Sequence, residues 1–138
     1  MERRTQQINL LKRIQKKKMK LQPITKAFEH AFNGMGYFIS HDRNGKIHCM
    51  LAILVAMAAF FFKLSAMEWC ILLLCTGLVI SLEMLNHAME NLCDVVHEAH
   101  HPLIKTVKDV AAAAVLWSAI ISVIIGSLIF IPKIAAII

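Results

Sequence analysis

Trp69-Cys70-Ile71-Leu72-Leu73-Leu74-Cys75-Thr76-Gly77-Leu78-Val79-Ile80 decides the fold class of this chain. The run carries no charge and opens on an aromatic residue of the kind that anchors at membrane interfaces. It continues without a proline through Ser81-Leu82-Glu83-Met84-Leu85-Asn86-His87-Ala88-Met89-Glu90. At about 1.5 Å per residue, some 20 apolar residues cross roughly 30 Å of hydrocarbon, so a span over about 69–90 is long enough. A second block runs from about Ile47 to Phe62, and to 67 with its exit connection, Lys63 to Glu68. A third covers about 110–131 and ends at Pro132-Lys133. These three blocks account for a hydrophobic content of 58% and a mean hydropathy of +0.62, where soluble domains hold about 45–50% apolar residues. The chain therefore reads as an all-α integral membrane protein with three transmembrane helices.

Outward from the spans, residues 1–22 form a basic arm and 23–138 the membrane domain. Between Ile24 and Ile39, the residues Ala27, Phe28, Ala31, Phe32, Met35 and Phe38 recur at spacings of three and four. That is the stripe of an amphipathic helix, with Pro23 suited to its first turn. Lys26, Glu29, His30 and Asn33 make the segment too polar to span. A helix over about 23–40, lying in the membrane interface, is expected. Ser40 to Lys46 reads as a polar turn.

Charge sets the orientation. The net charge is +6, and eight of the fifteen Lys and Arg residues lie in the first twenty positions. Beside membrane spans, such an arm points to anionic lipid headgroups rather than to nucleic acid. Arg43 and Lys46 flank the start of the first span, and Lys105 and Lys108 that of the third, while the first exit loop carries only Lys63. The positive-inside rule puts the N-terminus and the 91–109 connection in the cytoplasm and the C-terminus outside. The first thirty residues hold no apolar run of signal-peptide length, so no cleaved signal is expected. Cys49, Cys70, Cys75 and Cys93 read as buried free thiols.

The second span carries the chemistry. Turning about 100° per residue, a helix places Glu83, Asn86, His87, Glu90 and Asp94 within an arc of about 100°. Acids at membrane depth face a bundle interior or a water-filled cavity, and mark function by default. A wet helix interface is the plain alternative, most of all for Asp94 at the helix end. A carboxylate as deep as Glu83 needs a proton or a cation to neutralise it. Grouped acids suit a proton relay or a divalent metal that brings phosphate to the membrane surface. Lys108 and Asp109, at the mouth of the third span, add a cation and an acid on the same side, although Lys108 also suits a positive-inside anchor. A phosphate-binding loop of the Gly-x-x-x-x-Gly-Lys type, a dinucleotide fingerprint and a serine elbow are all absent from the sequence. His97, His100 and His101 near Cys93 lack zinc-site spacing and read as a solvated loop.

The run Glu83-Met84-Leu85-Asn86-His87-Ala88-Met89-Glu90-Asn91-Leu92-Cys93-Asp94, with Lys108-Asp109-Val110-Ala111-Ala112-Ala113-Ala114-Val115 after it, resembles the prokaryotic diacylglycerol kinase family, and within it the undecaprenol kinase branch. The family's patterns are E-x-x-N-(S/T)-A-x-E-x-x-x-D and K-D-x-(A/G)-(A/S/G)-(A/G)-A-V, and the resemblance covers about residues 24–133. It implies a homotrimer in the bacterial plasma membrane, with composite sites on the cytoplasmic surface that use Mg2+ and ATP to phosphorylate a lipid hydroxyl. Carried over, Glu83 is the general base and Asn86 supports it and the transferring phosphate. Glu90 ligates the metal, and Lys108 and Asp109 contact the nucleotide. A second metal carboxylate comes from the pattern E-x-N-x-x-I-H, here Asp42-Arg43-Asn44-Gly45-Lys46-Ile47-His48. The resemblance also implies that the amphipathic helix turns Phe28, Phe32 and Phe38 inward over the site.

Two departures stand out: Asp42 replaces Glu, and His87 replaces Ser or Thr. Two other function classes fit parts of the pattern. A small ion- or proton-conducting oligomer would use Glu83 and Glu90 as a relay, and a membrane scaffold would use only the spans and the arm. Nothing in the sequence distinguishes undecaprenol from diacylglycerol as the lipid alcohol.

Overall fold

The computed structural model describes residues 24–96 and 101–137; the basic arm, Pro23, His97, Glu98 and His100 lie outside them. Every regular element among the described residues is a helix: α1 (Ile24–His41), α2 (Arg43–Phe61), α3 (Ala66–Val96) and α4 (Pro102–Ala135). The chain falls into two compact units, Met1–Gly36 and Tyr37–Ile138.

In the first unit, residues 24–36 are helical and present Ile24, Phe28, Phe32 and Met35 along one exposed face. Phe28 and Phe32 are 61% and 64% exposed, and only Phe38, in the second unit, is buried.

In the second unit, α2, α3 and α4 are each long and apolar enough to cross a membrane, at 19, 31 and 34 residues. They run up, down and up, as contacts at both ends establish. At one end, Phe60 of α2 meets Trp69 of α3 with ring centroids 4.7 Å apart, and Lys133 of α4 pairs with Glu68 of α3 at 3.1 Å. At the other, His87 of α3 faces Asp42, and Lys108 of α4 pairs with Asp94 of α3. The burial pattern is inverted relative to a soluble bundle. Large apolar side chains such as Leu74 and Phe60 lie outside, whereas Asp42, Glu83, Asn86 and Ser118 lie inside. Lipid tails are as apolar as leucine, so exposure of Leu costs little in a bilayer and the polar groups move inward. This is an integral membrane protein.

The connections are shorter than the sequence suggests, because side chains and backbone cap the helices tightly. A single residue, Asp42, separates α1 from α2, so Arg43 to Lys46 form the first turn of α2 rather than a loop. Asp42 is extended (φ −88°, ψ 123°) and its Oδ2 accepts the Gly45 N–H at 2.7 Å, an N-cap that starts the helix at once. Lys46 Nζ donates to the Ser40 carbonyl at 2.8 Å, satisfying one of the acceptors left at the end of α1. At the other end, Leu64 N bonds Ala59 O and Lys63 N bonds Phe60 O, both at 3.1 Å. This is a Schellman closure, with Lys63 in the left-handed region (φ 51°) where glycine is usual. Ser65 and Glu68 then form a reciprocal capping box: the Ser65 N–H and hydroxyl donate to Glu68 Oε2 at 2.7 and 2.8 Å. Buried Ala59, Leu64 and Leu72 pack with Phe62, Trp69 and Phe130 against this end. The cysteines are free; Cys93 is buried, Cys49 and Cys75 are half-buried, and Cys70 is exposed.

Candidate active site

At the end of the bundle opposite Trp69, the N-terminus of α2 and the C-terminal half of α3 meet over a buried polar cluster. Glu83 is 2% exposed, Asn86 5% and Asp42 9%. The Asn44 side chain and Glu83 lie close enough to interact, and Glu83 is within electrostatic reach of Asp42, His48 and Glu90. Asn86 Nδ2 donates to Glu90 Oε1 at 3.1 Å, one turn along α3. Asn86 Oδ1 is buried without a hydrogen-bond partner among the described residues. The amide nearest Glu83 in its electrostatics is thus Asn44 from α2, while Asn86 bonds Glu90.

Asp42 and His87, the two departures from the family pattern, face each other. His87 Nδ1 stands 3.8 Å from Asp42 Oδ1, with side chains 16% and 11% exposed. Tyr37 and Phe38 flank the imidazole at ring-centroid distances of 6.0 and 6.1 Å. Gly45 is a spatial necessity beneath them. A Cβ there would come within 2.8 Å of Asp42 Oδ2 and closer still to the Phe38 ring.

Lys108 and Asp109 stand on the first turns of α4, which Pro102 and the His101 N-cap begin; His101 Nδ1 accepts the Leu103 N–H at 3.3 Å. Lys108 Nζ bonds Asp94 Oδ1 at 2.5 Å and lies within electrostatic reach of Glu90. Asp109 bonds Lys105 across one helical turn at 2.7 Å and is well exposed. The structure therefore brings Asp42, Glu83, Asn86 and Glu90 into one cluster, with Lys108 at its border and Asp109 further out.

Three contributors were not assigned from sequence: Asn44, Gly45 and His48. Asn44 and His48 match fixed positions of E-x-N-x-x-I-H, and that match was the available signal. For Gly45 the sequence held none.

The donor set suits a hard divalent cation. Carboxylates of Asp42, Glu83 and Glu90 and the orphaned Asn86 oxygen are all oxygen donors, as Mg2+ prefers. Among the described residues, no group of three or more His, Cys, Asp or Glu side chains is arranged to hold a metal ion by itself. Mg2+ does not need one, because phosphate oxygens and water usually complete its shell. Asp42 and Glu90 would hold it.

An apolar groove of about 520 Å³ runs between the three spans, from His48 at the polar end past Val55, Leu72 and Val79 to Phe130 and Ile134.

Comparison with known proteins identifies the family. The family model for prokaryotic diacylglycerol kinase matches residues 29–130. The chain is 44% identical over 108 residues to the undecaprenol kinase of Bacillus subtilis, covering 78% of this chain and 88% of that protein. It is 38% identical over 107 residues to the diacylglycerol kinase of Synechocystis sp., covering 77% of this chain but only 61% of that protein's length. The matched region takes in α2, α3 and nearly all of α4 with the whole polar cluster, and the chain belongs to the prokaryotic diacylglycerol kinase family.

Proposed function

We propose that this protein transfers the γ-phosphate of ATP, with Mg2+, to the hydroxyl of a membrane lipid alcohol of the undecaprenol or diacylglycerol kind. Both named relatives are alcohol-acceptor phosphotransferases, and the chain is an enzyme of that class. The observation that carries the finer reading is Glu83, 2% exposed and surrounded by Asp42, Asn44, His48 and Glu90 at one end of an apolar bundle.

Glu83 takes the proton of the lipid hydroxyl as that oxygen bonds to the γ-phosphorus and the bond to the bridging oxygen of the departing ADP breaks. Asn44 orients the Glu83 carboxylate. Asp42 and Glu90 would hold Mg2+, which would neutralise charge on the phosphate oxygens. Asn86 fixes Glu90 through its amide and presents Oδ1 to the same space. Lys108, on the first turns of α4, binds phosphate oxygens at the border of the cluster, and Asp109 contributes to the nucleotide side. His48 borders both the carboxylates and the apolar groove, so a lipid chain in the groove brings its headgroup end to Glu83.

Arg43, Lys46, Lys105 and Lys108 flank the site end, against Lys63 and Lys133 at the other. This supports a cytoplasmic site and N-terminus in the bacterial plasma membrane. Among the described residues, one chain brings few cationic side chains to the cluster, which supports a homotrimer with shared sites. Proton conduction fits less well, since no Asp or Glu lies between Trp69 and Leu82 or between Val110 and Ile138.

The test is phosphate transfer from labelled ATP with magnesium, in mixed micelles offered undecaprenol and diacylglycerol side by side. Transfer to one lipid names the acceptor. Transfer to neither, from a folded oligomer, rejects the reading.

A further inference from the structure

The two oxygens of Asp42 are in different use. Oδ2 accepts the Gly45 N–H at 2.7 Å and caps α2, so the carboxylate is tied to the helix start by one oxygen. Oδ1 is left to face His87 Nδ1 at 3.8 Å. The imidazole is itself held between Tyr37 and Phe38, with Phe38 edge-on at 65°. Its other nitrogen, Nε2, is buried and has no hydrogen-bond partner among the described residues. A ring placed only to fill space would be apolar, because burying an unpaired nitrogen costs roughly 1–3 kcal/mol. Here the fold accepts that cost and points Nδ1 at a carboxylate.

We infer that His87 is a positioning residue for Asp42: it holds Oδ1 in the orientation in which that oxygen serves the Asp42, Glu83 and Glu90 cluster. The two positions exchange reach. Aspartate withdraws its carboxylate by one methylene relative to glutamate, and an imidazole extends further from α3 than a serine or threonine hydroxyl. The shorter acid and the longer ring face each other at 3.8 Å. The pair is therefore one compensated change rather than two independent departures. Partners behind a metal-binding carboxylate commonly change metal affinity by 10–100-fold when removed. The inference rests on the phosphotransfer reading for its purpose, although its test reads cation binding directly.

The experiment is a double-mutant cycle on the full chain in mixed micelles, with D42E, H87S and D42E/H87S, plus H87N, whose amide keeps a donor near the Nδ1 position. Mn2+ alone is the probe, titrated by electron paramagnetic resonance, with thermal unfolding to confirm folding. H87S and D42E are each expected to weaken Mn2+ binding about tenfold. The double variant binds no more weakly than either single, H87N stays within a few-fold of the parent, and the KM for lipid does not move. The inference is overturned if the double variant loses the product of the two single effects, if H87N falls as far as H87S, or if the parent binds no Mn2+. Should H87S fail to fold, D42E against D42E/H87S decides alone: recovered affinity supports the pairing and further loss overturns it. Phosphate transfer by the parent is measured beside it. A coupled cycle in a parent without transfer keeps the pairing and rejects the kinase reading; transfer with an additive cycle does the reverse.

Discussion

Asn86 donates to Glu90 at 3.1 Å across one turn of α3, and the same amide leaves its oxygen buried and unpartnered. One side chain thus fixes a carboxylate and offers an acceptor to the same space. Asn86→Ala removes both, and kcat/KM for phosphate transfer is expected to fall about 10²–10³-fold, the range for losing one preorganised polar group. Asn86→Asp should fall further, because it sets a carboxylate against Glu90 one turn away, where like charges repel. A change of less than threefold in either variant would remove Asn86 from the machinery.

Gly45 offers a structural prediction. A methyl group there would collide with the Phe38 ring and with the Asp42 oxygen that caps α2. Phe38 is 4% exposed and has little room to retreat. Gly45→Ala is expected to destabilise by about 1–3 kcal/mol, the usual cost of overpacking. Gly34→Ala is the control, since nothing lies within 4 Å of its Cβ direction. Thermal unfolding in detergent separates the two, and equal stability would contradict the close approach.

Most of the fold was legible because the bilayer enforces it. Three apolar blocks of spanning length leave helices as the form that satisfies every backbone group in lipid. The clustering of Glu83, Asn86 and Glu90 was legible from helical period alone. Other features depended on distances that periodicity does not carry. The polar stretch from Ser40 to Lys46 read as a turn, yet one capping bond from Asp42 makes most of it helix. Phe28, Phe32 and Phe38 share one stripe in sequence, but only the last is buried, since a stripe says nothing of what covers it. Asn44 was hidden for a related reason: its link to Glu83 joins two helices, and no spacing within either helix encodes it.

Lys108 and Asp94 test whether an ion pair is tether or machinery. The pair is 2.5 Å long, but Asp94 is 68% exposed, and exposed pairs contribute little to stability. Asp94→Asn should leave unfolding unchanged and alter the KM for ATP by less than about threefold, because Lys108 remains. Lys108→Ala should raise that KM by about tenfold or more, the size of one lost charged hydrogen bond. If the lysine only tied α3 to α4, the two variants would behave alike, and initial rates against ATP concentration decide between them.

Glu83 is the residue on which a structural and a catalytic role predict opposite results. Its carboxylate is 2% exposed, has acidic neighbours in Asp42 and Glu90, and lies close to the Asn44 side chain. Burying a carboxylate beside Asp42 and Glu90 opposes folding unless a cation joins them. Glu83→Gln keeps the shape and the hydrogen-bonding capacity while removing the charge. Stability is therefore expected to hold or rise, with the unfolding midpoint in detergent no lower than the parent's. Phosphate transfer should fall about 10²–10⁴-fold, the contribution of a positioned general base. Glu83→Asp keeps the charge but retracts it from the acceptor hydroxyl, and should sit between the two in rate while losing stability to the space it opens. A glutamine variant that unfolds more easily yet keeps its rate would make Glu83 a structural carboxylate, and the proton of the lipid hydroxyl would then need another acceptor in the cluster.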